Sequence, residues 1–297
     1  MARSFPPDVL VIDTDAIVHA RFGRGRTNPR LIQTKAYRLG AGTFTPALVS
    51  PQLASEANLA ETVRRMRNET GRWDKVSLLL PDSWFRINIV DLPSMPAKAA
   101  EALEVVRWSL KRTLPIPPEQ LRVAYSVLSR SGEGAKVLVL SALEATLAAI
   151  EKVLSGAGLE AVLVEPLGLN IWNAIAVREA ETTADRLFLY VRETDFTTAV
   201  FRGSQPLFIR SRNISGERTV EQEIRLSANY LRDSLEVDTF AQCYVAGTGG
   251  AAVHETLASE FNTQVRPVAL RDFVEDPPSE TFGLDAELTA CSGVFTG

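Results

Sequence analysis

Few side chains in this sequence are of the types that perform nucleophilic or metal-assisted chemistry. The 297 residues include only two cysteines and two histidines: Cys243, Cys291, His19 and His254. Their spacing forms neither a zinc-ligand pattern nor a disulfide framework. Cys243 lies in the apolar run Cys243–Ala246, where a small buried side chain is expected. We therefore expect no metal site and no cysteine–histidine nucleophile.

One glycine-rich turn has the composition of an anion-binding site. Gly247–Thr248–Gly249–Gly250 follows a predicted strand and precedes a predicted helix. Backbone N–H groups at such a helix start can bind a phosphate or cradle an adenosine. An ordinary strand-to-helix turn explains the same residues equally well, so the sequence leaves both interpretations open.

The composition is that of an ordinary folded protein, with 45% hydrophobic and 23% charged residues. A net charge of −4 argues against a general nucleic-acid binder. No apolar run reaches the roughly 20 residues of a membrane helix, and the first ten residues lack the apolar core of a signal peptide. A cytoplasmic location is expected. The basic segment Arg21–Arg30 is interpreted as a solvated loop, or else as a surface for acidic lipid or a partner.

Hydrophobic periodicity predicts an order of elements that occurs twice. Three strands, a helix, a strand and a final helix are predicted between Asp8 and about Arg178, and the same order recurs between Arg186 and about Glu260. The first of these helices is predicted to begin at the N-cap Ser55 and to end at Gly71. The first block carries an inserted α/β module, with prolines at both ends of its first helix, between its fourth strand and its last helix.

Duplicated units of three strands and a helix are the arrangement of the actin-like, ribonuclease-H-like fold. The sequence thus predicts an α/β protein with two domains. Residues 1–180 form the first domain, which contains an inserted α/β subdomain at about 93–163. Residues 184–297 form a second, reduced domain, and Thr182–Ala184 are predicted to be the hinge.

Several segments resemble the PilM family of actin-like type IV pilus assembly proteins. The resemblance covers nearly the whole chain and is strongest over residues 79–170. The segments that carry it are Leu79–Pro81, Asp91–Pro96, Val106–Trp108, Leu114–Pro117, Ala157–Leu159, Val164–Pro166, Tyr244–Gly250 and Leu288–Gly297. The cytoplasmic part of the type II secretion protein GspL is similar as a sister family. GspL normally continues into a membrane helix. No such helix is predicted in this sequence, which favours the PilM family.

The resemblance implies a nucleotide cleft formed by two glycine-bearing hairpins and an adenosine turn. Asp13 matches the leading acid of the first hairpin, but Asp15 stands where glycine is expected, and Val191–Glu193 aligns with the second hairpin without its acid or glycine. A carboxylate beside phosphate is unfavourable, and side chains obstruct close backbone approach. The single helix at 216–235 also leaves little of the subdomain that covers nucleotide. The vestigial cleft is predicted to consist of Asp13, Thr14, Asp15, Thr197, Thr198, Gly247, Gly249 and Gly250.

We therefore expect no catalytic residue, no hydrolysis and no required cofactor, with ATP and Mg²⁺ as the one ligand left open. The resemblance implies a cytoplasmic scaffold, peripheral to the inner membrane, in the platform of a type IV pilus. Its implied partners are the cytoplasmic N-terminal tail of a PilN-like membrane protein and a pilus or secretion ATPase platform. The tail is expected to bind as an extended peptide between the first domain and the inserted subdomain, near Trp84, Phe85 and Trp108. Core packing would explain these aromatics as well.

Other functions compete with the scaffold. An ATP-binding or ATP-hydrolysing enzyme, actin-like or similar to sugar kinases, would use Asp13 or Asp15 as its acidic group. A component similar to GspL would serve type II secretion instead of a pilus. A polymerising cell-division actin homologue would keep intact phosphate turns and a C-terminal amphipathic anchor, for which Cys291–Gly297 is too short and uncharged.

Overall fold

The chain forms two compact units, each assembled from separate stretches of sequence. The computed structural model describes residues 5–47, 50–111, 116–179, 183–203, 205–214, 219–235, 237, 239–247, 251–281 and 283–296. The first unit consists of Met1–Trp84, Thr146–Ala180 and Pro267–Gly297, and the second of Phe85–Ala145 and Glu181–Arg266.

Strands and helices are numbered separately in chain order. The strands are β1 (Asp8–Ile12), β2 (Ala16–Gly23), β3 (Arg30–Arg38), β4 (Phe44–Thr45), β5 (Gln52–Leu53), β6 (Lys75–Leu80), β7 (Phe85–Leu92), β8 (Leu121–Ser131), β9 (Gly134–Leu143), β10 (Glu160–Pro166), β11 (Asp185–Val191), β12 (Asp195–Arg202), β13 (Gln205–Asn213), β14 (Gln242–Gly247) and β15 (Val265–Pro267). The helices are α1 (Glu56–Thr70), α2 (Ala99–Leu110), α3 (Glu144–Gly156), α4 (Leu167–Ala176), α5 (Val220–Leu235), α6 (Ala251–Phe261) and α7 (Asp285–Gly293).

The first unit contains a five-stranded sheet in the order β10-β6-β1-β2-β3. β1 pairs parallel with β6 and antiparallel with β2. All five residues of β1 are buried, as its apolar run predicts for a central strand. The boundaries predicted for α1 are confirmed: the Ser55 hydroxyl accepts a hydrogen bond from the N–H of Asn58, and Gly71 follows the helix with φ of +93°.

The second unit repeats this topology with a five-stranded sheet in the order β13-β12-β11-β14-β15. β11 pairs parallel with β14 and antiparallel with β12, as β1 does with β6 and β2. Side chains from α5 and α6 form one hydrophobic core with this sheet, including Leu231, Leu257, Leu187 and Val245. The repeated strand order is the duplication that the sequence predicts.

The inserted segment forms a three-stranded antiparallel sheet in the order β7-β9-β8. Helix α2 packs on it, and Val106 and Leu110 share a core with Val137 and Val139. Their spacing along α2 gives the helix one apolar stripe, which this sheet buries. Strand β7 also lies beside β13 within the second unit.

The division into units differs from the predicted boundaries. The sequence predicts residues 284–295 as part of the second domain, yet α7 packs on α4 and contacts β1 and β2 in the first unit. The subdomain predicted at about 93–163 within the first domain corresponds to Phe85–Ala145 and belongs to the second unit. Both differences arise from long-range contacts, α7 with α4 and β7 with β13, which leave no local sequence pattern.

Candidate functional site

The first hairpin turn lies where β1 ends. The N–H of Asp13 donates to the carbonyl of Ala16 at 2.9 Å, which leaves Thr14 and Asp15 as a two-residue loop. Oδ1 of Asp13 accepts a hydrogen bond from the N–H of Thr14 at 2.6 Å. The Asp15 side chain is exposed, and its carbonyl accepts from the residue that follows β3 at 2.7 Å. The turn therefore carries two carboxylates, one of them used within the loop.

The second hairpin turn has the same backbone hydrogen bonds. The N–H of Arg192 donates to the carbonyl of Asp195 at 2.8 Å. The carbonyl of Thr194 accepts from the residue that follows β13 at 2.8 Å, as Asp15 does from the residue after β3. Arg192 is therefore the counterpart of Asp13, and Thr194 is the counterpart of Asp15.

This equivalence corrects the predicted alignment of the second turn by one residue, since Arg192 and not Val191 occupies the position of the leading acid. Nη1 of Arg192 lies 3.3 Å from Oδ2 of Asp195, which also accepts from the Thr194 hydroxyl at 3.0 Å. The two charged side chains are 14% and 4% exposed. A cation thus stands where the first turn has an acid, and its charge is paired inside the turn.

The hydroxyl residues predicted for this cleft, Thr197 and Thr198, lie within β12 and are 1% and 2% exposed. The Thr197 hydroxyl lies 2.7 Å from the hydroxyl of Ser211 on the neighbouring strand. The Thr198 hydroxyl is buried without a hydrogen-bond partner in the part of the chain that the structure describes. Both hydroxyls are therefore enclosed by the sheet.

Gly247 ends β14 with φ of +85°, and a Cβ there would overlap the carbonyl oxygen of Val191. Both features require glycine. Thr248, Gly249 and Gly250, which complete the predicted adenosine turn, lie outside the described residues.

Two further acids, neither of which is among the predicted site residues, lie at the same end of the sheet as Asp13. Strands β1, β6 and β10 are parallel, so Asp82 after β6 and Glu165 near the end of β10 share that end. Oδ1 of Asp82 accepts from the N–H of Gly168 at 2.7 Å in the first turn of α4, where a carboxylate is favoured. Burial raises the pKa of Glu165, and a hydrogen bond from Asn170 opposes this effect. The sequence does contain a signal for these two residues, because each is an acid at the end of a buried parallel strand, where ligand sites of α/β sheets lie.

The three aromatic residues predicted to bind a partner do not share an exposed surface. Trp84 is 3% exposed and its ring lies 5.2 Å from that of Phe44. Phe85 is 5% exposed at the start of β7. Both are core residues, which corrects their assignment to a binding groove. Aromatic type alone did not distinguish the two roles. Trp84 ends a short 3-10 turn, Asp82–Trp84, which has no periodicity to indicate its buried side.

Trp108 differs from the other two because it is 65% exposed on α2. It lines a surface groove of about 430 Å³ together with Val105 and Pro118. The rim carries two ion pairs, Arg107–Glu104 at 3.5 Å and Lys111–Glu119 at 3.9 Å. The groove thus combines an aromatic and apolar floor with balanced charges.

Features of metal or thiol chemistry are absent from the described residues. No group of three or more His, Cys, Asp or Glu there is arranged to hold a metal ion. Cys243 and Cys291 are buried free thiols, and burial raises the pKa of Cys243 to about 12. A thiol with so high a pKa is a poor nucleophile near neutral pH.

None of the helices in the described ranges is both long and apolar enough to cross a membrane.

The duplicated sheets define the class of fold, which is that of the actin-like proteins. A Bacteroides thetaiotaomicron protein described as having an actin-like ATPase fold and unknown function is similar, with a TM-score of 0.56 and 12% identity over 95% of each chain.

Within this class, the similarity is greater to a chain of a PilM–PilN type IV pilus biogenesis complex. That chain gives a TM-score of 0.79 with 19% identity, over 99% of both chains. The cytoplasmic domain of EpsL, an inner-membrane component of the type II secretion system of Vibrio cholerae, gives 0.53 with 13% identity, over 98% of this chain and 94% of that one. Neither a protein-family model nor a curated protein sequence matches the chain.

Proposed function

We propose that this protein is a non-catalytic, actin-like scaffold of a type IV pilus inner-membrane platform, and that it binds the cytoplasmic tail of a PilN-like membrane protein. The observation that carries the proposal is the match over 99% of both chains to a component of a PilM–PilN complex. In this role the protein lies in the cytoplasm, peripheral to the inner membrane, beside a pilus or secretion ATPase.

The hairpin turns support a role without hydrolysis. The first turn carries two carboxylates, Asp13 and Asp15, near the place where backbone N–H groups would have to approach phosphate. Two like charges 4 Å apart repel by about 4 kcal/mol at an effective dielectric of about 20. In the second turn Arg192 could attract phosphate, but Asp195 already neutralises it. Anion binding at either turn would have to overcome these charges.

The Trp108 groove supports a role in peptide binding. Exposed tryptophan is costly on a monomer surface and is enriched at the centres of protein interfaces, where its ring fills a partner's pocket or covers an apolar side chain. Val105, which is half-buried, and Pro118, which is buried, form apolar walls of the same groove. The paired charges at the rim favour a partner segment whose central residues are apolar and whose ends are polar.

Binding of the synthetic N-terminal tail of the organism's own PilN-like protein, measured by fluorescence anisotropy, tests this proposal. Trp108→Ala should weaken binding roughly thirtyfold, because truncating a central interface tryptophan costs about 2 kcal/mol. Since the side chain is 65% exposed, the thermal midpoint of folding should barely change.

Tyr230→Ala is the matched control, because Tyr230 is another exposed aromatic residue of the same unit, at 45% exposure. It should bind the tail like the unmodified protein. Failure of the unmodified protein to bind the tail would refute the proposed partner. Equal losses of affinity for the two variants would instead show that Trp108 is not part of the binding surface.

A further inference from the structure

Helix α5 exposes large side chains on the side opposite the core of the second unit. Ile224, Ala228 and Leu231 of α5 are buried in that core. Leu226 and Tyr230 lie one helical turn apart on the other side and are 42% and 45% exposed. The outer face of an amphipathic surface helix normally carries polar residues. Two large, mainly apolar side chains next to each other at such positions indicate a contact surface.

Strand β13 extends this surface and supports the tyrosine ring. The rings of Phe208 and Tyr230 are 5.3 Å apart and are tilted by 36°. Phe208 is itself half-buried and packs against the core of the second unit. A ring that already rests on a neighbour loses little conformational entropy when a partner covers it. Tyrosine is also one of the residue types enriched at the centres of protein interfaces.

One polar residue lies at each end of this surface along α5. Gln222 is one turn before Leu226, Asp233 is three residues after Tyr230, and both are exposed. Oε1 of Gln222 accepts a hydrogen bond from the N–H of Thr219 at 3.1 Å, which leaves the Gln222 NH₂ group as a donor. Within the described residues, neither that NH₂ group nor the Asp233 carboxylate has a hydrogen-bond or ion-pair partner. The surface therefore ends in a donor on one side and an acceptor on the other.

This order of side chains is complementary to itself. When two copies of α5 lie antiparallel across a twofold axis near residue 228, Leu226 of each copy opposes Tyr230 of the other. The same arrangement places Gln222 of each copy opposite Asp233 of the other, so that each donor meets an acceptor. A parallel arrangement would place the two Asp233 carboxylates side by side, which is unfavourable. The order of the side chains thus selects the antiparallel pair.

We propose that two copies of this chain form a symmetric dimer through the α5 patch, which we define as Phe208, Gln222, Leu226, Tyr230 and Asp233. The same patch serves both copies in such an interface, so the assembly closes at two and does not continue as a filament. A contact made chiefly by one pair of sixteen-residue helices is small beside a standard interface of about 1,600 Å². The dimer should therefore be reversible, with a Kd in the micromolar range.

An anionic membrane surface is disfavoured as the occupant of the α5 patch. Helices that lie on such a surface present free cations to the lipid. The two arginines of α5, Arg225 and Arg232, instead pair with Glu260 at 3.3 Å and 3.2 Å. The charge that remains at the patch is the carboxylate of Asp233, which anionic lipid would repel.

Sedimentation velocity of the whole chain at about 1–200 µM tests the dimer, because this range brackets a micromolar Kd. The unmodified chain should shift from monomer to dimer across it. Gln222→Glu should raise the Kd about tenfold, since two glutamates then oppose two aspartates in each dimer. Glutamate accepts from the N–H of Thr219 as glutamine does, so the helix start is retained. Adding Asp233→Lys should restore the original Kd, because each repulsive pair becomes an ion pair.

Leu226→Gln removes apolar contact and should also raise the Kd about tenfold. Val127→Gln is the matched control, because Val127 is 39% exposed in the same unit and lies on β8. It should dimerise like the unmodified chain. The proposal is overturned by a chain that stays monomeric throughout, by equal losses for these two variants, or by a Gln222→Glu defect that Asp233→Lys does not reverse. Sedimentation with phosphatidylglycerol vesicles that Leu226→Gln abolishes would assign the surface to a membrane instead.

The dimer does not depend on the pilus role proposed above, and two variants separate the two proposals. Trp108→Ala should leave the Kd of the dimer unchanged. Tyr230→Ala should raise that Kd while it leaves binding of the PilN-like tail unaffected. A chain that binds the tail but stays monomeric would refute the dimer alone, and a dimer without affinity for the tail would refute the partner alone.

Discussion

A carboxylate and a guanidinium occupy equivalent positions in the two hairpin turns, and each is satisfied locally. Asp13 bonds to the N–H of Thr14, and Arg192 pairs with Asp195. The sequence identifies both turns but misplaces the second by one residue. The alignment by residue type places Val191 at the position of the leading acid, although the segment has neither the acid nor the glycine, whereas the backbone hydrogen bonds that define the turn begin one residue later.

The half-buried carboxyl group of Glu165 gives a prediction for pH dependence. Burial raises its folded-state pKa, so the protonated form stabilises the fold at low pH, and that stabilisation is lost as pH rises through the folded-state pKa. Glu165→Gln keeps an uncharged group at every pH. The variant should therefore melt at a higher temperature than the unmodified protein at pH 7, and the difference should vanish below about pH 4, near the ordinary glutamate pKa.

Thermal unfolding followed by circular dichroism at pH 4 and pH 7 measures this difference. Glu61→Gln is the matched control, because Glu61 is an exposed glutamate of α1 in the same unit. Its effect on the midpoint should be the same at both pH values. A lower midpoint for Glu165→Gln at pH 7 would show that the ionised carboxylate stabilises the fold.

At the scale of elements, local sequence patterns predicted which strands and helices exist better than they predicted which of them pack together. The five apolar residues of β1 and the capped helix α1 were predictable because burial and capping leave signals within a few residues. The short strands β4, β5 and β15 have two or three residues each and give no periodicity. The attachment of α7 to α4 was not predictable, because it depends on small residues that meet across a long stretch of sequence.

Gly293 in α7 is the contact that sets how closely this helix approaches α4. Gly293→Ala would place a Cβ on the carbonyl oxygen of Asn170, so the helices must separate. We expect a loss of about 1–3 kcal/mol in the free energy of unfolding, the usual cost of overpacking, measured by urea denaturation.

Gly156→Ala at the end of α3 is the control, because a Cβ there meets no atom within 4 Å. That substitution should leave stability unchanged or raise it by up to about 1 kcal/mol, since alanine favours a helix. Equal effects of the two substitutions would mean that α7 is not closely packed on α4.

At the scale of the whole molecule, the fold class was predicted from the duplicated order of strands together with the resemblance to the PilM family. The division of the chain into its two units could not be predicted from the sequence, because each unit is assembled from stretches that are distant in sequence. The predicted site residues fared unevenly. Asp13, Asp15 and Trp108 are accessible to some degree, whereas Trp84, Phe85, Thr197 and Thr198 are buried. Burial of these four depends on tertiary neighbours that residue type does not reveal.

Thermal unfolding with Mg-ATP tests whether the whole chain binds nucleotide. A ligand at a hundredfold excess over its Kd stabilises the folded state by about 2.7 kcal/mol, which is a shift of about 5 °C for a chain of this size. With two carboxylates in the first turn and a neutralised arginine in the second, we expect no shift beyond that of Mg²⁺ alone. A shift of several degrees with millimolar ATP would restore the enzyme as the leading function.

The segmented first unit has a consequence for synthesis on the ribosome. β1 and β2 emerge early, but α7, which covers them, is translated only after every residue of the second unit. The second unit can finish folding while the first still lacks a helix. During that interval the nascent chain has an apolar sheet surface that awaits its cover, and this is the stage at which chaperones would engage it.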